Sequence, residues 1–173
     1  MDLKVVIDKL ARLIDPDSNM IDTINISMLN DGDEFLEWRT SIVLSIVNIE
    51  EDKTLKNTSV YIKDENNPTT LLRHRHPTLN LMISLLFASY TIDQTSYLDG
   101  IDKLKVIIAY FQQNNSFYYK NDDTELLDYP SFMVKAEEEK ENYSKITMES
   151  ISLTIEQLNQ MWSYLGSKYM PSV

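Results

Sequence analysis

Residues 151–173, ISLTIEQLNQMWSYLGSKYMPSV, set out a strand, a capped helix and a stop within one compact unit. Ile151, Leu153 and Ile155 alternate with Ser152 and Thr154, the period of a half-buried strand. Thr154 stands three residues before Gln157, the spacing at which an N-cap hydroxyl and a reaching amide satisfy each other's backbone donors. Leu158, Met161, Trp162 and Leu165 then share one helix face, Gly166 supplies the left-handed C′ position, and Pro171 forbids resumption. This end requires a sheet to pair with and a core to receive Trp162.

Working back toward the N-terminus, Ile146–Leu153 reads as a strand, and residues 121–143 hold eight acids against two lysines and read as a surface segment. Residues 96–113 form a helix whose stripe is Leu98, Ile101, Leu104, Ile108 and Phe111. Residues 79–90 read as a buried strand. Between residues 50 and 78 the composition turns polar, with Asn66, Asn67, Pro68 and Pro77, which predicts a long loop or flap. Thr40–Ile49 has apolar residues on both faces and belongs inside a sheet. Asn30–Asp33 is a turn signal, and Leu3, Val6, Ile7, Leu10 and Ile14 mark a first helix over residues 2–14, ended by Asp15-Pro16. Helices and strands follow no strict βαβ alternation, which favours an α+β domain with a mostly antiparallel mixed sheet covered by helices. A length of 173 residues and a hydrophobic content of 43% fit one domain over residues 1–173.

A net charge of −11 disfavours nucleic acid and anionic membranes as partners, since both are held by lysine and arginine. The chain has no cysteine, which excludes disulfides and thiolate metal sites and permits folding in the cytosol. Its first eight residues carry acids where a signal peptide needs a basic region, and the run from Leu79 to Tyr90 is too short to cross a bilayer as a helix.

Arg73-His74-Arg75-His76 is the one run that invites a chemical reading. His74 and His76 could share one side of a strand, but the chain has no third histidine to complete a zinc site. The run reads better as a loop that sets Arg73 and Arg75 against an acidic surface. Asp122-Asp123 and Glu50-Glu51 could formally act as acid and base, yet nothing separates them from solvated charges. Gly32, Gly100 and Gly166 are isolated, so no phosphate-cradling loop is written. No cofactor or metal is expected, and no catalytic residue stands out. Candidate interface residues are Arg73, Arg75, Tyr164, Tyr169 and Val173, the tyrosines because such side chains suit contacts that keep one end polar.

The block Leu153, Glu156, Gln157, Leu158, Asn159, Trp162, Leu165, Gly166, Lys168, Tyr169, Pro171, Ser172 and Val173 resembles the terminal part of a known family. So, in the same order, do Ser45–Glu51 with Leu55–Asn57, Leu79–Ala88, and Ile107–Gln112 before Phe117. The family is that of the tail-terminator or cap proteins of extracellular contractile injection systems, the N-terminal-domain type of the Photorhabdus virulence cassette and antifeeding-prophage particles. The basic run at Arg73 departs from the family pattern, which is apolar or proline-rich there. The resemblance implies a phage tail-terminator fold and a structural, non-catalytic role: a ring, hexameric by expectation, that closes the distal end of tube and sheath. Assembly would be cytoplasmic, followed by incorporation into a particle. It also implies a further β-strand beyond Pro-Ser-Val, so that either the natural protein is longer than this chain or a sheet edge near the C-terminus is left for a strand of a neighbouring subunit or sheath protein. The alternative is a cytoplasmic adaptor or chaperone that binds one partner through residues 121–143, and a small hydrolase comes third.

Overall fold

The computed structural model describes residues 2–17, 20–26, 41–52, 61–62, 73–74, 80–91, 96–120, 122, 125–166 and 169–173. They fall into two units, residues 1–45 with 86–173, and residues 46–85. The strands that pass from one unit into the other are β2 (Ser41–Glu51) and β5 (Leu81–Tyr90).

The first unit begins with α1 (Leu3–Ile14), capped by the Asp2 carboxylate, which accepts from the Lys4 N–H at 3.0 Å. Its apolar stripe buries Val6, Ile7, Leu10 and Ala11. Pro16 disfavours helical geometry at the residue before it, and Asp15 leaves the helix at φ −129. The Asp15 carboxylate then accepts from the backbone N–H groups of Met20 (2.6 Å) and Ile21 (3.1 Å), which fixes where the next strand starts. That strand, β1 (Ile21–Thr23), runs parallel to β2 with Ile21 opposite Ile42 and Thr23 opposite Leu44. The sheet order is β1-β2-β5, so β2 is central, as its two-sided apolar pattern requires. Ile42, Val43 and Leu44 are each 0% exposed, worth about 1.5–3 kcal/mol of burial apiece.

On its other edge, β5 receives the chain's own last residues. Phe87 N–H donates to the Val173 carbonyl and Val173 N–H to that of Phe87, both at 2.9 Å, while Ser89 N–H donates to Pro171 at 2.8 Å. The expectation of an open edge near the C-terminus is thus corrected for this stretch, because Pro171–Val173 fill it.

Helix α2 (Tyr97–Gln113) occupies the predicted span but turns a different face inward. Leu98 is 70% exposed and Ile108 is also exposed, whereas Gly100, Leu104 and Ile107 are buried. Close approach is the cause: a Cβ built at Gly100 would lie 2.1 Å from Ser89 Oγ of β5 and 3.0 Å from Thr91 Cγ2. The helix rests on the strand where it has no side chain, and that contact sets its rotation. Phe111 still reaches the core edge, 5.5 Å from Phe87 and 6.2 Å from Phe117, ring centre to ring centre.

A second sheet has the order β7-β6-β8, with β6 (Ser116–Lys120) paired antiparallel to β7 (Leu126–Asp128) and to β8 (Tyr143–Thr147). Phe117 and Tyr119 are buried on one face of β6. On the other face Tyr118 stacks on Phe132 at 3.7 Å with an interplanar angle of 2°. Phe132 belongs to α3 (Tyr129–Met133), which is followed by α4 (Glu137–Lys140). Residues 121–143 are therefore more than a surface run: they supply strand β7, with Leu126 buried, and an aromatic bolt through α3.

The strand expected over Ile146–Leu153 is displaced. β8 ends at Thr147, and residues 148–154 have no regular secondary structure. After Met148 N–H donates to the Asn115 carbonyl at 2.9 Å, the ladder has no more partner, because the facing chain has turned into α2. Ile151, Leu153 and Ile155 consequently stand 69%, 44% and 78% exposed. Helix α5 (Ile155–Leu165) follows as the sequence predicts.

The second unit holds the remaining halves of β2 and β5, bridged by Asp52 N–H donating to Asn80 at 2.9 Å. It also holds an antiparallel ribbon of β3 (Tyr61–Ile62) and β4 (Arg73–His74), with Ile62 opposite Arg73. The long loop predicted for residues 50–78 is corrected to this extent: β2 continues through Glu51, and two short strands pair within the span. The turn predicted at Asn30–Asp33 lies outside the described residues. The architecture is α+β with mostly antiparallel pairing, β1 and β2 being a parallel pair.

Gly100→Ala is expected to lower stability by about 1–3 kcal/mol through overpacking, in spite of alanine's helix preference. Adding Ser89→Ala, which removes the clashing hydroxyl, should recover part of the loss, as read from urea midpoints. Trp162→Ala should cost about 3–5 kcal/mol, nearer the lower bound because the substitution also removes a buried indole N–H that has no hydrogen-bond partner among the described residues.

Candidate interaction surface

Local chemistry fixes α5 before any packing does. Gln157 N–H donates to Thr154 Oγ1 at 3.3 Å and Thr154 N–H to Gln157 Oε1 at 3.0 Å, closing the capping box. Gly166, at φ 65, ends the helix in the left-handed region that favours glycine. Trp162 is 4% exposed, and Leu158, Met161 and Leu165 beside it are half-buried.

Opposite that face, Tyr164 is 90% exposed. Tyr169 is exposed too, although its ring meets Trp162 edge-on at 6.0 Å, so one side braces the core while the hydroxyl end stays outside. Val173 is half-buried and engaged in the sheet with Phe87. Arg73 lies in β4, in the second unit, and Arg75 is outside the described residues. The first unit thus contains three of the five predicted interface positions, two of them exposed tyrosines.

Sequence reasoning missed the strongest apolar exposure. Ile151, Leu153 and Ile155 were assigned to a half-buried strand, yet their alternation is displayed to solvent. On α3, Tyr129 and Met133 are exposed, and Val134 just beyond it is 87% exposed. The start of α3 carries a helix signal in its Asp128 N-cap and first-turn Pro130, but five residues are too few for a readable apolar period.

Several charged groups around the second sheet are engaged locally. Lys140 pairs with Glu137 at 2.7 Å, with its ammonium 5.7 Å from the centre of the Phe132 ring, and Lys135 pairs with Glu125 at 3.3 Å. Tyr143 donates its hydroxyl to Glu125. That hydrogen bond, helped by Lys135, holds the Glu125 carboxyl below its usual range in spite of partial burial. Burial, and then the same carboxylate, pushes the Tyr143 hydroxyl up to about 12. Tyr110 is likewise pushed up to about 12 by burial and the nearby charge of Asp128. All three shifts lead away from neutrality, opposite to what proton transfer near pH 7 asks.

An open depression of about 320 Å³ is lined by Asp8, Ala11, Arg12, Asp15, Ile21, Asp22 and Thr23. Two of its three carboxylates have structural work, since Asp8 pairs with Arg12 at 3.1 Å and Asp15 caps the start of β1. Among the described residues no group of three His, Asp or Glu side chains could hold a metal ion, and no helix is long and apolar enough to cross a membrane. His74 faces Tyr61 across the ribbon, and His76 lies outside the described residues.

The first unit thus exposes apolar and tyrosine side chains of the kind that suit protein contacts. The chain belongs to the Pvc16 N-terminal domain family, whose model matches residues 5–173. It is accordingly a protein related to bacterial contractile injection systems, of the structural type found in their secreted particles. None of the curated proteins matches the chain.

The Tyr143–Glu125 pair carries a pH dependence whose sign follows from the depressed carboxyl. Its stabilisation is full above the unfolded-state pKa of Glu125 and is lost as pH falls through the lower folded value. Tyr143→Phe should flatten the acid side of a melting-temperature profile between about pH 5 and pH 3, leaving the neutral plateau nearly parallel to that of the parent.

Proposed function

We propose that this protein is a cap, or tail terminator, which closes the distal end of the tube and sheath of a contractile injection particle as a ring, hexameric by expectation. The family match over residues 5–173 carries the reading, because it spans nearly the whole chain. The exposed Tyr164 and Tyr169 support it as side chains suited to subunit or sheath contacts. In this reading the chain has a terminator fold, assembles in the cytoplasm and leaves with the particle. Its partners are copies of itself, tube and sheath, with Arg73, Arg75 and Val173 as further contact positions. A second reading, an adaptor or chaperone for a basic partner, is favoured by the exposed Glu137, Glu138 and Glu139 of α4.

Electron microscopy of the purified chain should show closed rings or arcs, and labelled protein should sit at one end of each particle, because a terminator must match the rotational symmetry of the polymer it ends. Tyr164→Ala should break ring formation with an unchanged melting temperature, since that side chain is almost wholly exposed. A strict monomer at high concentration that is absent from particle ends would overturn the cap; if it bound a basic cargo, the adaptor would stand.

A further inference from the structure

Between β8 and α5 the chain has an unusual combination of properties. Residues 149–153 make no hydrogen bond among the described residues, through either backbone or side chain. Their neighbour Thr154 is extended (φ −69, ψ 161), with its N–H committed to Gln157 and its carbonyl to Leu158 N–H. Ile155 is the first residue of α5, so its N–H has no intrahelical partner. The alternation of backbone groups along a strand therefore leaves Leu153 and Ile155 free to pair on the side away from Thr154. On the same segment Ile151, Leu153 and Ile155 expose a period-two apolar stripe. Unpaired backbone together with such a stripe is the template that another β-strand completes.

We propose that residues 151–155 pair antiparallel with the same residues of a second copy of this chain, about a two-fold axis through Leu153. Polarity selects this register. It sets Leu153 opposite Leu153 and Ile151 opposite Ile155, gathering six apolar side chains on one face, with Ser152 and Thr154 opposite each other on the other. Shifting the axis to Ser152 would set Glu149 against Ile155, burying a carboxylate against an apolar side chain. Shifting it to Thr154 would leave Ile151 facing Gln157. In the selected register Leu153 exchanges both backbone hydrogen bonds with its counterpart, and Ile155 N–H reaches the Ile151 carbonyl. Five residues from each chain bury far less than the about 1,200 Å² of a standard stable interface, so the pairing is weak on its own. The contact is isologous, unlike the head-to-tail contact of a ring, and its test stands apart from the cap reading.

The absence of cysteine from the chain permits a direct trap. Paired α-carbons about 5.5 Å apart lie within the span of a disulfide. Under mild oxidation, Leu153→Cys should form a covalent dimer at least about tenfold faster than Val106→Cys, a comparably exposed control on α2, because pairing raises the effective concentration of the two thiols. Mixed Ile151→Cys and Ile155→Cys proteins should favour the heterodimer over either homodimer. Ile151→Lys added to Leu153→Cys should abolish the advantage without moving the melting temperature. Equal rates at positions 153 and 106, or a rate untouched by the lysine, would overturn the proposal. So would protection of the residue 151–155 amides by a tube or sheath protein while Leu153→Cys stays monomeric.

Discussion

Both faces of β2 are dry between Ile42 and Leu44, and the rest of the first unit follows from that constraint. A strand with no water on either face must have its backbone paired along both edges, since an unpaired buried amide costs about as much as the burial of a large side chain gains. β1 supplies one edge and β5 the other. β1 is only three residues long and could not hold its register alone; the Asp15 carboxylate, gripping Met20 and Ile21, ties it to the end of α1. A helix stop written as Asp-Pro is in this way also the anchor of a strand.

β5 passes the constraint outward. It is paired with β2 on one side and with Pro171–Val173 on the other, and at Ser89 it meets the bare backbone of α2 at Gly100. Ser89 is buried with its hydroxyl unpaired among the described residues, so the fit is bought with a small polar cost. From α2 the aromatic cluster of Phe87, Phe111 and Phe117 carries the packing into the second sheet, where Tyr118 and Phe132 fasten the acidic segment by its ring rather than by its charges.

What remains outside is consistent with a part that works by contact. Local pairs absorb the lysines of the acidic segment, the shifted tyrosines and Glu125 are moved away from neutral titration, and exposed apolar residues cluster at α3 and between β8 and α5. The match of residues 5–173 to the Pvc16 N-terminal domain family relates the chain that carries these surfaces to contractile injection systems.

By itself the sequence determined the features that depend on near neighbours: the span of α1 and its Asp-Pro stop, the Thr154–Gln157 box, the Gly166 terminator and the inward Trp162, each settled within a turn or two of chain. It also placed β2 inside a sheet, because a two-sided apolar run is intolerable elsewhere. Only the tertiary structure decided which face α2 buries, since the contact that sets it is the absence of a side chain at Gly100 against a strand ten residues earlier. The ribbon at Tyr61 and Arg73 was likewise hidden, since two-residue strands carry no period to read. Most tellingly, the alternation at Ile151, Leu153 and Ile155 was legible but its meaning was not. Periodicity reports that a segment suits a strand, whereas pairing depends on a partner backbone within reach, and β6 runs out at the end of α2 before it can offer one.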